Sequence, residues 1–236
     1  MRDTPPFTPR VKAPGESTVI AIDGPAASGK SSTAQWVAEQ LGFRHIDSGA
    51  LYRAATTAAL RADRTGGWAE HLVLEAARDV RLVPNRTSFS AIIGDQNIDA
   101  EIRGAAVTQN VSAVARMPRV REWVNDVVRQ TARGHDVVVD GRDIGTIVFP
   151  NADLKVFLVA DPWERARRRL TQRLGRAPTD EEIAAETERL VQRDARDATQ
   201  TVQASDAVLI DTTYLTQEEQ VERIVALARV VLKRGA

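Results

Sequence analysis

The segment Gly24-Pro25-Ala26-Ala27-Ser28-Gly29-Lys30-Ser31 fits the pattern GxxxxGK[ST] at every fixed position, and it constrains the chain more than any other feature. A β-branched run at 18–22 (TVIAI) leads into it through Asp23, and an amphipathic stretch from about Lys30 to Leu41, closed by Gly42, follows it. Strand, glycine turn and helix, in that order, are the setting in which such a loop holds phosphate. Small residues let backbone N–H groups close around a β-phosphate, and the helix that follows adds its positive N-terminus. Lys30 reaches the β- and γ-phosphates and the Ser31 hydroxyl can ligate Mg²⁺. Residues Gly24 to Ser32 are therefore expected to bind ATP, with Mg²⁺ as its companion ion. The alternative, a glycine turn that merely caps a helix, must account for a full match in a chain with only four lysines, Lys12, Lys30, Lys155 and Lys233.

A phosphate loop alone does not separate kinase from switch or motor. A GTPase needs a base-reading N/TKxD segment, and the remaining lysines of the folded part sit in KVFLVADP and KRGA instead. A kinase needs a second, acceptor pocket, and three segments offer anion ligands. In Asp47-Ser48-Gly49-Ala50-Leu51-Tyr52-Arg53, Ser48 can cap a helix running to roughly Asp63, with Tyr52 and Arg53 one turn on; the segment reads equally as an ordinary capped helix. In VVVDGRDIGT (137–146), a buried strand delivers Asp140, Arg142 and Asp143 to its carboxyl end. There Asp140 can hold magnesium and Arg142 can clamp phosphate; the alternative is a polar turn with a surface ion pair. In ERARRRLTQR (164–173), Arg165, Arg168, Arg169 and Arg173 fall on one helical face with no acid among them, which is unfavourable unless an anion arrives. Alternatively they pair with the acidic helix that follows, through Asp180, Glu181, Glu182 and Glu186.

Strand-like runs at 43–46, 136–139, 155–159 and 207–210 alternate with helical periodicity, which implies a mostly parallel sheet covered on both faces. Short runs at 80–84, 89–93 and 97–98 read as a small antiparallel system inserted between helices, and a long helix is expected from about Ala105 to Arg133, notched at Pro118. Lys plus Arg balance Asp plus Glu at 32 each, so no overall field recruits nucleic acid or an acidic membrane, and any anion site must be local. The absence of cysteine excludes disulfides and thiolate zinc sites and fits a reducing, cytoplasmic setting. No apolar run approaches the ~20 residues needed to span a bilayer. Four prolines in residues 1–17 point to a disordered leader. The three histidines, His45, His71 and His135, are too scattered for a metal site and read as structural or surface residues.

With these pieces in order, the chain from about Thr18 to its C-terminus resembles the bacterial cytidylate kinase family. The resemblance rests on IDGPAASGKSS, DSGALYRAA, IRGAAVTQNVSAVARMPRVR, DGRDIGTIVFP, KVFLVADPWERARRR, and RDARD ahead of DAVLIDTT. It implies the α/β, three-layer nucleoside monophosphate kinase fold: a parallel-sheet core (18–64 and 101–236), an inserted monophosphate-binding lobe (65–100) and a short lid around 162–196. It implies ATP and CMP or dCMP as substrates, Mg²⁺ with ATP, a monomer, and no nucleic-acid or membrane partner. It also implies that Ser48, Tyr52, Arg53 and Arg142 hold the acceptor phosphate, that Ser112, Arg121 and Asp143 read cytosine, and that Arg193 and Asp197 meet the sugar. Lys30, Arg142, Arg165, Arg168 and Arg169 would carry the transfer. Where the family pattern RDxxDxxR ends in arginine, this chain has Gln200, which cannot clamp an anion. Kinases for UMP or TMP, and a non-catalytic nucleotide sensor, are the competing functions; a panel of monophosphates separates them.

Overall fold

The computed structural model describes residues 17–234. The expected leader, apart from Ser17, lies outside the described residues. A five-stranded, all-parallel sheet forms the centre, built from β1 (Val19–Asp23), β2 (Arg44–Asp47), β6 (Val137–Asp140), β7 (Leu154–Val159) and β8 (Val208–Asp211), in the order β2-β6-β1-β7-β8. The central strands are near-continuous apolar runs because both faces are covered. One face carries α1 (Lys30–Leu41) and α8 (Gln217–Arg234), whose Val37, Val221 and Ile224 pack with Ile20, Ile22 and Leu158. The other face carries α2 (Ser48–Ala62) and α5 (Pro118–Ala132), where Leu51, Val124 and Val128 meet Ile46, Val137 and Val139.

The 105–133 stretch is two helices rather than one. The first, α4 (Ala105–Val114), ends before Pro118, which opens α5 where a missing N–H costs nothing. Residues 80–97 form an antiparallel sheet, β3 (Val80–Pro84), β4 (Phe89–Ile93) and β5 (Gln96–Asn97), preceded by α3 (Glu70–Ala76). Its buried Val80, Ala91 and Ile98 belong to the same hydrophobic cluster as Leu51 and Ala54 of α2. The tip of the β3–β4 hairpin also closes the free edge of β2, with the His45 N–H donating to the Thr87 carbonyl at 2.9 Å. A helical pair, α6 (Pro162–Leu174) and α7 (Asp180–Asp197), stands over the carboxyl ends of the strands through its own small cluster of Ala166, Leu170, Ile183 and Leu190 with Ala26. Thr179 and Glu182 make a capping box at the start of α7. Among the described residues no helix is long and apolar enough to cross a membrane.

The connections that leave the carboxyl ends of β1, β2, β6, β7 and β8 all open on one edge, which is where parallel sheets bind ligands. That edge gathers the segments singled out in the sequence.

Candidate functional site

The phosphate loop is shaped by two close approaches. Gly24 has φ +147°, and a Cβ there would sit 2.2 Å from the Leu158 carbonyl oxygen, so only glycine lets β1 turn away beside β7. Gly29, at φ +87°, precedes α1 without a side-chain cap, leaving the first amides of the helix free of a side-chain acceptor. Ala27 also takes a left-handed conformation (φ 59°), which costs an L-residue about 1 kcal/mol. The buried Ser28 hydroxyl donates to the Pro25 carbonyl at 3.0 Å, and Lys30 Nζ donates to the same carbonyl at 2.6 Å. Burial, and then the nearby Arg142, bring the Lys30 ammonium down to about 7. Such a cation is primed for an anion that restores its charge.

The Ser31 hydroxyl donates to Asp140 Oδ2 at 2.6 Å, across from the end of β6. Asp140 Oδ1 is 2.7 Å from His45 Nε2, with both residues buried. Burial alone lowers a histidine and raises a carboxylate. Their hydrogen bond and opposite charges outweigh it, so His45 lies above and Asp140 below its ordinary value. Neighbouring Asp47 is pushed up by burial and by the Asp140 charge. Serine and carboxylate oxygens 2.6 Å apart at a helix start are the hard donor set that a nucleotide-borne Mg²⁺ takes, with the remaining positions left to phosphates and water. No group of three or more acidic, histidine or cysteine side chains that could hold a metal alone occurs among the described residues. The donor set therefore fits an ion that arrives with its nucleotide.

A groove of about 810 Å³ runs from this loop under α6 and α7. It is lined by Ala26, Ala27, Gly29, Lys30, Ser31 and Ser32 from the first motif. Of the acceptor set, Ser48, Tyr52, Arg53, Ser112, Arg121, Arg142, Asp143, Arg193 and Asp197 all line it, as does Asp140. Gly24, Pro25 and Ser28 do not; they hold the loop's shape from behind.

Three expectations need correction. Ser48 is not the cap of α2. The Asp47 carboxylate accepts from the Ala50 N–H at 3.1 Å, while the Ser48 hydroxyl donates inward to the Asp140 carbonyl at 2.7 Å, because Asp47 alone keeps extended backbone at the strand end. Of the two readings of the α6 arginines, the structure takes the pairing with the helix that follows, through Glu186 and also Asp194. Arg165 is buried, pairs with Asp194 at 2.6 Å, and donates to the Ala26 carbonyl at 2.9 Å, and it does not line the groove. Glu186 of α7, 4% exposed, takes Arg169 at 3.2 Å and lies within 4 Å of Arg173 and Arg189. Arg168 lines the groove at its far end and donates to the Thr212 and Thr213 carbonyls at 2.5 and 2.8 Å. The counter-charges thus come from α7, whose sequence follows a turn later. Finally, His45 is neither at the surface nor remote from the chemistry: its ring holds Asp140.

The wall that α2, α4, α5, α7 and the turn after β6 give the groove is a web of paired charges. Arg142 reaches Asp197 at 3.1 Å and Arg193 approaches the same carboxylate at 3.5 Å, while Arg142 Nη1 is buried with no hydrogen-bond partner. A buried guanidinium nitrogen without a partner beside a groove is a vacancy for an acceptor oxygen. Arg53 donates to the Ile102 carbonyl and to Thr108. Arg121 pairs with Asp143, lies 5.8 Å over the Tyr52 ring, and donates to Gln200 Oε1 at 3.0 Å. Burial raises the Tyr52 hydroxyl to about 12, so it stays a donor at neutral pH.

Sequence reasoning missed Arg103, Gln172, Gln217 and Gln220, which also line the groove. It also missed Asp23, whose carboxylate accepts from the Ile144 and Gly145 N–H groups at 2.8 and 2.7 Å, tying the phosphate loop to the turn that carries Arg142 and Asp143. The available signal was a carboxylate ending a buried strand, where no water could satisfy it.

The family model for cytidylate kinase matches residues 20–230. A protein named cytidylate kinase from Exiguobacterium sp. is 42% identical over 230 residues, covering 92% of this chain and 98% of its own. One from Geobacillus kaustophilus is 45% identical, covering 88% and 95%, and one from Mycobacterium leprae 39% identical, covering 89% and 95%. A solved structure of an uncharacterized protein from Eubacterium ventriosum matches with TM-score 0.51 at 12% identity, covering 91% of this chain and 99% of that one, a likeness of fold alone.

Proposed function

Because this chain belongs to the cytidylate kinase family and is an ATP-dependent (d)CMP kinase, we propose how the groove divides the work. ATP lies along Ala26–Ser32 with its far end toward Arg168. The acceptor phosphate lies among Ser48, Tyr52, Arg53 and Arg142. Ser112, Arg121 and Asp143 read the base, and Arg193 and Asp197 meet the sugar through the 3′-hydroxyl, so deoxyribose is accepted. A single observation supports the division: the phosphate-loop lysine and the acceptor arginines line one continuous groove, close enough for Arg142 to depress Lys30.

The acceptor is a phosphate monoester whose second pKa near ~6 leaves it mostly dianionic at pH 7. An anionic oxygen needs no general base, and catalysis reduces to alignment and neutralisation of charge. Lys30 draws on the β- and γ-phosphate oxygens, and Arg142 and Arg169 offset charge between the two nucleotides. Arg165 acts by fastening Ala26, and Arg168 by fixing the donor end. Ser31 and Asp140 would hold the Mg²⁺ that accompanies ATP, which would supply further positive charge at the phosphates. Closure of α6 and α7 excludes water from the groove and suppresses hydrolysis. In our reading the protein acts as a cytoplasmic monomer with residues 65–100 as its monophosphate-binding lobe, and without nucleic-acid or membrane partners. The test is ADP release from ATP with CMP, dCMP, UMP and TMP, repeated with Arg142→Ala. CMP and dCMP should lead in the native protein, and the variant should lose acceptor affinity while keeping ATP affinity. Equal losses for both nucleotides would overturn the division of the groove.

A further inference from the structure

Gln200 sits just beyond α7, where its N–H bonds the Asp197 carbonyl at 2.9 Å, and its half-buried side chain lines the groove. Its Oε1 accepts from Arg121 Nη1 at 3.0 Å, while Arg121 Nη2 is paired with Asp143. A guanidinium can only donate, so the carboxamide must turn its oxygen to Arg121. That leaves Nε2 as a donor with no partner among the described residues. Along the groove wall the groups therefore run acceptor, donor, donor: the Asp143 carboxylate, the Arg121 guanidinium, the Gln200 amide N–H.

Cytosine's pairing edge runs donor, acceptor, acceptor: the 4-amino group, N3, O2. Uracil's runs acceptor, donor, acceptor. We infer that Gln200 is a base-binding residue of this kinase, donating from Nε2 to the pyrimidine 2-carbonyl as the third position of a wall complementary to cytosine. The inference rests on the base pocket proposed above. It divides that pocket's labour. Asp143 and Arg121 face the two positions at which cytosine and uracil differ, and they discriminate. Gln200 faces the carbonyl that both bases share, and it contributes affinity alone.

The experiment compares the native protein with Gln200→Met, Gln200→Glu and Asp143→Asn, using CMP, UMP and the 2-thio analogue of CMP, in which sulfur, a weak acceptor, replaces O2. Gln200→Met keeps the side-chain length and should raise KM for CMP and UMP alike, by roughly ten-fold for one lost neutral hydrogen bond. Its kcat and its CMP-to-UMP preference should stay as in the native protein. The native protein should lose a similar factor on the 2-thio analogue, and Gln200→Met should lose nothing more. Gln200→Glu still accepts from Arg121 but has no N–H to give, so it should do no better than the Met variant. A Glu variant with native KM would reduce Gln200 to a support for Arg121, and penalties that multiply between Gln200→Met and the 2-thio analogue would remove the contact; either overturns the inference while leaving the pocket intact. If Asp143→Asn leaves the CMP-to-UMP preference untouched, the base pocket itself is misplaced, and this inference falls with it.

Discussion

The proposed donor and acceptor ends of the groove are built in opposite ways. The donor end is nine consecutive residues, Gly24–Ser32, whose backbone does most of the work and whose shape is fixed by a glycine against Leu158 and a serine against Pro25. The acceptor end draws side chains from α2, α4, α5, the turn after β6, and α7, spread from Ser48 to Gln200. At the donor end the half-buried Lys30 ammonium rests on the Pro25 carbonyl and the Ser28 hydroxyl, with a depressed pKa. At the acceptor end each guanidinium already has a carboxylate, carbonyl or amide partner. A contiguous loop can seat one cation on its own carbonyl and hydroxyl because its backbone and helix end are fixed by local geometry. Four distant cations, Arg53, Arg121, Arg142 and Arg193, cannot be assembled without internal partners to offset their repulsion. The acceptor site is therefore largely pre-paired: a ligand exchanges with those partners and takes up open positions such as Arg142 Nη1.

Four measurements can break or sharpen that contrast. Lys30→Ala should have the largest effect, lowering kcat by about 10²–10³ for one lost transition-state charge contact, with an unchanged circular dichroism spectrum; an unaltered kcat would remove Lys30 from the chemistry.

Asp23 is the seam between the two ends, and burial has raised its carboxyl from 3.8 to about 6. The folded chain therefore holds this proton more tightly than the unfolded one. The Asp23 contribution to stability is fully present below about pH 4, falls as the pH rises to about 6, and is constant above. The difference in unfolding free energy between the native protein and Asp23→Asn should move by about 3 kcal/mol across that window, measured by denaturant titration from pH 4 to 7. A flat difference would mean that Asp23 is ionised at no cost.

Arg142→Ala should come next, raising KM for CMP by about 30-fold through loss of one buried charged hydrogen bond, with KM for ATP within a factor of three. Steady-state kinetics with each nucleotide varied in turn checks it. Glu186→Gln should be mildest. It removes the shared counter-ion of Arg169, Arg173 and Arg189, and a loss of about 1 kcal/mol corresponds to a melting point 2–4 °C lower. An unchanged melting temperature would show that the cluster of Ala166, Leu170, Ile183 and Leu190 and the Arg165–Asp194 pair hold α6 and α7 together without it.

The donor end was legible in the sequence because its eight-position pattern encodes backbone geometry directly, and the order of buried strands and amphipathic helices gave the parallel sheet for the same local reason. The helix from Lys30 to Leu41 was readable at both ends, since the glycine turn precedes it and Gly42 closes it. The errors came where the outcome depended on a distant partner. Ser48 was misread as a cap because its true acceptor, the Asp140 carbonyl, lies 92 positions away. For the α6 arginines the sequence left two readings open, an anion clamp or pairing with the helix that follows, and only the chain reversal that brings Glu186 and Asp194 to them decides for pairing. His45 looked idle because nothing in its neighbourhood announces that β2 will pair with β6.

By itself, then, the sequence determined which residues could cradle a polyphosphate, since φ preference, small side chains and helix starts act within a few residues of one another. The tertiary structure decided which cations face the acceptor, which are spent on carboxylates, and which amide of Gln200 is left to donate. Those outcomes follow from charge pairing and burial between segments far apart in the chain, and such energies do not exist until the sheet has brought the segments together.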